Sequence, residues 1–280
     1  MQTNNLQFVF FGTGDVSKET LDILKENGYI PSFIVTSPDR PQGRKMILTP
    51  PLVKVWAEEN NILYIQPEKL DTEITEKLKS LNSDLFIVVA YGKIMSEEII
   101  KVPRLGSINI HYSILPRWRG ASPVESAVLN GDKVTGITIQ QMEYKMDTGP
   151  VIALEKVEIG KDEKAQELRK RLIKAGGSLL VKMLPTILDG KLQPTMQEEE
   201  GATYCKKIKK EDGLVDIVKE DPEVLYNKFR AYAHWPRIFY FKEGKRIIIS
   251  DASLEDGKFV IKKVIPEGKK EITWQEFNLK

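Results

Sequence analysis

The sequence of 280 residues predicts an α/β fold, in which a doubly wound, mainly parallel sheet is followed by a small C-terminal β-barrel. Two observations predict it. In the first two-thirds of the chain, short apolar runs alternate with helix-like segments, and residues 85–90 (LFIVVA) are typical of a strand buried on both faces. In the last third, short strand-like segments are separated by turns rich in glycine.

The elements follow one another in a regular order. Strands are expected at residues 7–11, 32–36, 62–66, 85–90, 107–111 and 136–142, and helices at 17–27, 53–60, 73–82, 124–129 and 165–188. Later strands are expected at residues 237–241, 246–250 and 258–264. The polar, turn-rich stretch between the two groups indicates a linker. We therefore expect a catalytic domain at residues 1–190, a linker at 191–203 and the barrel at 204–280.

Composition excludes several classes of protein. Hydrophobic residues make up 41% and charged residues 29%, as in ordinary soluble proteins. A single cysteine, Cys205, rules out a disulfide framework, and two histidines make a histidine-built zinc site a poor explanation. We find neither a signal peptide nor an apolar stretch long enough for a membrane helix, so we expect a cytoplasmic protein. The glycines after the first strand lack the third member of a dinucleotide fingerprint, because position 17 is Ser17.

Candidate catalytic residues follow the strands at their carboxyl ends, where ligands bind in such sheets. Asn109 and His111 are two apart on a strand and project to the same face, where an amide N–H and an imidazole suit a developing oxyanion. Asp147 follows the strand at 136–142 and could orient the imidazole or assist proton transfer. Taken singly, each also has an ordinary explanation: a structural histidine, and an asparagine and an aspartate in turns.

A long loop at residues 37–51 carries Arg40, Arg44 and Lys45 among prolines and a glycine. Loops of this length are often functional, and these cations would suit phosphate oxygens. A solvated surface loop explains the same composition equally well.

The ordered motifs together resemble the methionyl-tRNA formyltransferase family, a branch of the folate-dependent formyltransferases. They cover almost the whole chain, and they are FFGTGD, SPDRPQGR, PPLVKVWAE, VVAYGKI, INIHYSILPRWRGASPVESAVLNGD, TGITIQQMEYKMDTGPVI, IKKEDGLVDI, HWP and PEGKKEITWQEF. The resemblance implies a Rossmann-type catalytic domain and an OB-like C-terminal barrel. It also implies transfer of a formyl group from 10-formyltetrahydrofolate, a co-substrate, to the amino group of methionyl initiator tRNA, without a metal.

The resemblance also assigns roles to individual positions. The catalytic residues of the family fall on Asn109, His111 and Asp147. Its folate contacts fall on Ser113, Ile114, Leu115 and Pro116, with Lys93 and Met95 beside the pterin ring. Arg40, Arg44 and Lys45 fall in a loop that contacts the tRNA acceptor stem. On family grounds we expect a monomer.

Three alternatives share part of this pattern. A formyltransferase acting on a nucleotide-linked amino sugar would use the same three residues without needing the basic loop. A hydrolase that releases formate would use them as well. A non-catalytic RNA-binding protein on a retired enzyme scaffold is disfavoured because all three residues are present.

Overall fold

The computed structural model describes residues 6–43 and 45–279. They form two compact units, each built from separated stretches of the chain. The first comprises the described residues of Met1–Arg119 together with Gly136–Glu155 and Leu172–Ala202. The second comprises Gly120–Thr135, Lys156–Arg171 and the described residues of Thr203–Lys280. The boundaries at residues 190 and 204 stay a prediction.

Strands and helices alternate along most of the chain. The strands are β1 (Phe8–Gly12), β2 (Phe33–Val35), β3 (Arg40–Gln42), β4 (Ile47–Thr49), β5 (Tyr64–Ile65), β6 (Leu85–Val89), β7 (Ser107–His111), β8 (Arg119–Gly120), β9 (Val134–Gln141), β10 (Val151–Glu158), β11 (Tyr204–Cys205), β12 (Phe239–Lys242), β13 (Lys245–Glu255), β14 (Lys258–Pro266) and β15 (Ile272–Thr273). The helices are α1 (Asp15–Glu26), α2 (Leu52–Glu59), α3 (Thr72–Ser80), α4 (Glu97–Ile100), α5 (Pro123–Leu129), α6 (Ala165–Leu188), α7 (Pro222–Ala231) and α8 (Trp274–Asn278).

The first unit is organised around a sheet with the strand order β10-β9-β7-β6-β1-β2-β5. Pairing is parallel from β7 through β6, β1 and β2 to β5. Strand β9 runs antiparallel to β7. The predicted doubly wound, mainly parallel sheet is therefore confirmed. The carboxyl ends of β1, β6 and β7 lie at one edge, which is where such sheets bind ligands.

A continuous apolar core holds these strand ends in place. All five residues of β1 and of β6 are buried, which explains why their sequences read as unbroken apolar runs. The rings of Phe11 and Phe86 lie 5.0 Å apart, and Tyr91 meets Phe11 edge-on at 5.5 Å. Burying a side chain of this size stabilises the fold by roughly 1.5–3 kcal/mol. The residues that follow these strands are therefore carried on a rigid support.

Several helices begin at polar side chains that satisfy free backbone N–H groups. The Asp71 carboxylate accepts a hydrogen bond from Ile74 N at the start of α3, and Ser96 accepts one from Ile99 N at the start of α4. At α7, Asp221 accepts hydrogen bonds from the N–H groups of the first turn, with Pro222 at the first helical position.

The second unit contains an antiparallel sheet of four strands, β12-β13-β14-β15. The predicted strands at 237–241, 246–250 and 258–264 overlap β12, β13 and β14. The register of β13 against β14 shifts around Asp251, the mark of a β-bulge. No helix within residues 6–43 and 45–279 combines the length and the apolar character that crossing a bilayer requires.

Candidate active site

Asn109, His111 and Asp147 meet at the carboxyl end of β7. His111 is 5% exposed, and its Nδ1 lies 3.6 Å from Asp147 Oδ1. Strand alternation places Asn109 on the same face of β7 as His111. The structure thus brings together three residues that are separated by up to 38 positions in the sequence (147 − 109 = 38).

Both nitrogens of the His111 ring face partners. Nε2 lies 2.9 Å from the backbone oxygen of Trp118. A carbonyl oxygen can only accept, so Nε2 carries the hydrogen in this arrangement. The position that can gain or lose a proton is then Nδ1, which faces the Asp147 carboxylate. The geometry therefore provides a histidine–carboxylate pair with Nδ1 and Oδ1 3.6 Å apart.

The Asn109 amide is fixed from two sides. Its Nδ2 donates to Val88 O on the neighbouring strand β6 at 2.9 Å. Its Oδ1 accepts from Gln140 Nε2 at 3.3 Å. One hydrogen of Nδ2 has no acceptor among the residues that the structure describes. It is a donor that an oxyanion could use.

Asp147 lies in the loop between β9 and β10, with a backbone φ of +56°. This left-handed conformation is uncommon for a residue other than glycine and costs of order 1 kcal/mol. Gln140 Nε2 donates to its Oδ1 at 2.8 Å. Gln197 Nε2 donates to its backbone oxygen at 3.0 Å and to that of Gly149 at 2.7 Å. These amide hydrogen bonds hold the loop in its strained conformation.

Arg119 supports the Asp147 loop indirectly, through its contact with Gln197. Its side chain is 1% exposed and contacts Gln197 Oε1 at 2.9 Å through Nη2. Its Nη1 lies 3.1 Å from both oxygens of Glu199. Sequence reasoning missed Arg119, Gln140 and Gln197. One feature of the sequence could have identified Gln140: it is a polar residue that alternates with apolar ones at the end of the strand that leads to Asp147.

The predicted folate loop is tied to β9. Thr138 Oγ1 donates to Ser113 O at 2.7 Å and accepts from Leu115 N at 3.2 Å. The Ser113 hydroxyl donates to Arg117 O at 2.5 Å, and the Leu115–Pro116 peptide is cis. Ile114 and Pro116 are half-buried. The hydrogen bonds made by Thr138 and Ser113 therefore hold this short segment in place next to His111.

Lys93 and Met95, the predicted pterin contacts, follow β6 at the same sheet edge. Lys93 Nζ donates to the backbone oxygens of Pro67 and Glu68, the latter at 2.9 Å. Burial lowers the pKa of the Lys93 ammonium. Met95 is 4% exposed and belongs to the core, which leaves the backbone of this turn as the surface that a flat ring could contact.

The loop at residues 37–51 is more regular than its composition predicts. It contains a hairpin in which β3 pairs antiparallel with β4, turning at Gly43 with a φ of +68°. Arg40 and Lys45 are exposed, and Arg40 Nη2 lies 2.5 Å from Glu68 Oε2. Arg44 lies outside the described residues. Met46, Ile47 and Leu48 are also exposed, so the hairpin presents apolar side chains next to its cations.

Within residues 6–43 and 45–279, no group of three His, Cys, Asp or Glu side chains is arranged to hold a metal ion.

The fold and the site define a class of enzyme that transfers an acyl-type group. The model of the formyl transferase family matches residues 5–184, and the model of the formyl transferase C-terminal domain matches residues 207–260. The chain is 44% identical over 230 residues to the methionyl-tRNA formyltransferase of Halorhodospira halophila, covering 82% of this chain and 74% of that protein. It is 40% identical over 244 residues to that of Bacillus subtilis, covering 87% and 77%. The chain belongs to the methionyl-tRNA formyltransferase family and is a formyl-transferring enzyme.

Solved structures share the fold. A methionyl-tRNA formyltransferase from Clostridium thermocellum superposes with a TM-score of 0.61 at 21% identity, over 96% of this chain and 100% of that one. An N-formyltransferase from Helicobacter canadensis, solved with folinic acid and dTDP-3-aminofucose, superposes with a TM-score of 0.67 at 18% identity, over 89% of each chain. At these identities the likeness concerns the fold alone.

Proposed function

We propose that this chain transfers the formyl group of 10-formyltetrahydrofolate to the α-amino group of methionyl initiator tRNA, giving N-formylmethionyl-tRNA for translation initiation. The observation that carries the proposal is the meeting of Asn109 with the His111–Asp147 pair, whose Nδ1 and Oδ1 lie 3.6 Å apart. These groups supply a donor for an oxyanion and an acceptor for a proton, which is what formyl transfer to an amine requires.

The chemistry follows from the state of the amine. A free α-amino group has a pKa of about 7.7–8, and an adjacent ester lowers it further, so much of the amine is unprotonated at neutral pH. Its nitrogen attacks the formyl carbon, and the carbonyl oxygen takes up negative charge near the Asn109 Nδ2 hydrogen. The attacking nitrogen loses a proton to the His111–Asp147 pair. The tetrahedral carbon then expels N10 of the folate, which receives this proton from the pair as the carbon–N10 bond breaks.

His111 has a constrained part in this scheme. Nε2 is committed to Trp118 O, and Nδ1 faces Asp147. Direct donation from His111 to the oxyanion would need the ring to release one of these partners. We therefore assign the oxyanion contact to Asn109 and the proton transfer to the His111–Asp147 pair.

Substrate binding is assigned to the surfaces around this site. Folate contacts are proposed for Ser113, Ile114, Leu115, Pro116 and Lys93, and for the backbone of the turn at Met95, because these residues follow strands that end at the same sheet edge. Arg40 and Lys45 on the exposed hairpin are proposed to contact tRNA phosphates, and the same role is proposed for Arg44 from its place in the sequence. We further propose that the enzyme acts as a monomer in the cytoplasm, where charged tRNA is available.

A second candidate is formylation of a nucleotide-linked amino sugar. The observation in its favour is the fold shared with the Helicobacter canadensis N-formyltransferase, which was solved with such a sugar. The exposed hairpin with its cations favours tRNA, because a small nucleotide sugar has no need for so extended a contact surface. The two candidates differ in acceptor while sharing the donor.

Formylation assays separate the candidates and test the site. The purified protein is incubated with 10-formyltetrahydrofolate and either methionyl initiator tRNA or dTDP-3-aminofucose, and formylated product is quantified. We expect product with the tRNA alone. Asn109→Ala is expected to lower kcat by about 10²- to 10³-fold, the usual cost of an oxyanion donor.

The matched control is Asn27→Ala, an exposed asparagine at the end of α1. It should leave the rate unchanged. If only the amino sugar is formylated, the acceptor is the amino sugar and not methionyl initiator tRNA. Near-normal turnover by a folded Asn109→Ala protein would remove Asn109 from the mechanism.

A further inference from the structure

Gln140 occupies the position directly opposite Asn109 in the sheet. The antiparallel register of β7 and β9 pairs Asn109 with Gln140 and His111 with Thr138. Side chains of directly paired residues share a face of the sheet. Gln140 is 2% exposed, so its amide has to find partners inside the protein.

The partners of Gln140 are two of the three proposed catalytic residues. Its Nε2 lies 2.8 Å from Asp147 Oδ1 and 3.3 Å from Asn109 Oδ1. A primary amide nitrogen carries two hydrogens, so it donates to both oxygens at once. The Asp147 carboxylate oxygen can only accept, so the Gln140 amide is fixed with its nitrogen, and not its oxygen, toward Asp147. One nitrogen atom thus links residues from a strand and from the loop after β9.

The contact decides which way the Asn109 amide points. With Oδ1 accepting from Gln140 and Nδ2 donating to Val88 O, both ends of the amide have suitable partners. A 180° rotation would set Nδ2 against the Gln140 NH2 group and Oδ1 against the Val88 carbonyl, which are two repulsive contacts. Gln140 therefore keeps an N–H of Asn109 on the side where a substrate oxyanion would develop.

The same contact fixes the Asp147 carboxylate. The oxygen that accepts from Gln140 is also the one that lies 3.6 Å from His111 Nδ1. Loss of this donor would remove a 2.8 Å hydrogen bond that helps to hold Oδ1 beside the imidazole. Gln140 keeps Oδ1 in the line of proton transfer.

We propose that Gln140 is a positioning residue for formyl transfer, orienting the amide of Asn109 and the carboxylate of Asp147 through a single NH2 group. This inference rests on the proposed function. Gln140 itself need not touch either substrate, so its removal should change the rate of the bound complex more than substrate binding.

The test compares Gln140→Met with Gln141→Met by steady-state kinetics. Methionine matches glutamine in length and makes neither hydrogen bond. Gln141 is the next residue of the same strand, with an exposed side chain on the other face. For Gln140→Met we expect kcat to fall about 10- to 100-fold, as for misplaced reacting groups. KM for tRNA and for folate should stay within about twofold. Gln141→Met should match the wild type.

A second readout separates positioning from general packing. In a double-variant cycle, Gln140→Met should cost at least threefold less in the Asn109→Ala background, because one of its two targets is gone. If Gln140→Met does not fold, Gln140→Glu decides the question: it has the same shape, and its ionised carboxylate donates no hydrogen bond. We expect it to lose at least as much kcat.

Several outcomes would overturn the inference. They are a kcat within twofold of wild type, a loss that lies wholly in KM, and strict additivity with Asn109→Ala. Failure of the proposed function is separate from these outcomes, because the wild-type protein would then give no formylated tRNA at all.

Discussion

Substitution of Gly149 tests the geometry of the site, because the neighbouring backbone leaves no room for a side chain at this position. It is buried in the loop after Asp147. A β-carbon added there would lie 1.7 Å from Gln141 O and 2.9 Å from the carbonyl carbon of the same residue. Both atoms belong to the backbone of β9, so no side-chain rotation relieves the clash. Gly149→Ala therefore forces the loop away from the strand.

The size of the shift can be worked out from these distances. Ordinary contact for such a carbon begins at 3.4 Å, so the two segments must separate by about 1.7 Å (3.4 − 1.7). A shift of that size breaks the hydrogen bond from Gln197 Nε2 to Gly149 O and the one from Gln141 N to Pro150 O. At about 1 kcal/mol each, the loss of stability is about 2 kcal/mol. Displacing the attached Asp147 by about 1 Å should cost about 100-fold in rate.

The assay is the kcat for formylation of methionyl initiator tRNA, with a thermal melt of the same preparation. Gly14→Ala is the control, since a β-carbon at Gly14 meets nothing within 4 Å and the position does not need a left-handed backbone. We expect a loss of about 100-fold for Gly149→Ala and less than twofold for Gly14→Ala. A Gly149→Ala protein with wild-type rate and melting temperature would refute the argument that this loop is held against β9.

Two further predictions concern buried polar groups. Arg119→Met should lower the free energy of unfolding by about 2–3 kcal/mol. This is less than the usual cost of a broken buried ion pair, because the Glu199 side chain is 65% exposed and stays hydrated. Urea unfolding measures the change, and an unchanged midpoint would contradict the prediction. Tyr91→Phe should stabilise the fold by about 1 kcal/mol, because the Tyr91 hydroxyl is buried without a partner among the described residues. Burial raises the pKa of Tyr91 to about 12, whereas an unfolded tyrosine has a pKa of about 10. The unfolded chain therefore releases this proton first, and the free energy of unfolding falls as the pH rises from about 10 through 12. In urea titrations across that range, the free energy of unfolding of Tyr91→Phe should fall less steeply than that of the wild type.

The parallel centre of the sheet was predictable because both faces of its strands are buried. The run at residues 85–90 became β6, and the run at 7–11 became β1. Strand β10 escaped prediction for the opposite reason. Its burial pattern has no buried position, and its sequence VIALEKVE carries charges within the strand. A strand at the edge of a sheet gains its structure from pairing with a neighbour, and local composition does not reveal that pairing.

Strand parity made the proposed catalytic residues candidates, and the resemblance to the family assigned their roles, while the residues that support them were not predicted. Asn109 and His111 share a face because they are two apart on a strand, and this holds whatever the rest of the fold does. Contact between Gln140 and Asn109 depends on the register of β9 against β7, which the sequence does not give. Gln197 lies in a polar segment that was expected to be a linker. The sequence alone does not distinguish a glutamine that binds backbone carbonyls from one that faces solvent, so its role was not predicted.

The identity of residue 140 is itself informative about what the site requires. Lysine or arginine at this place would also donate to Asp147 and Asn109, but would add a positive charge that favours the ionised carboxylate over the form that has taken a proton. Glutamate would donate at most one hydrogen, and methionine none. Glutamine is a side chain of this length that gives two hydrogens from one atom without a net charge. It can therefore fix the positions of Asn109 and Asp147 without adding a charge beside the carboxylate, and the proposed mechanism of formyl transfer depends on both properties.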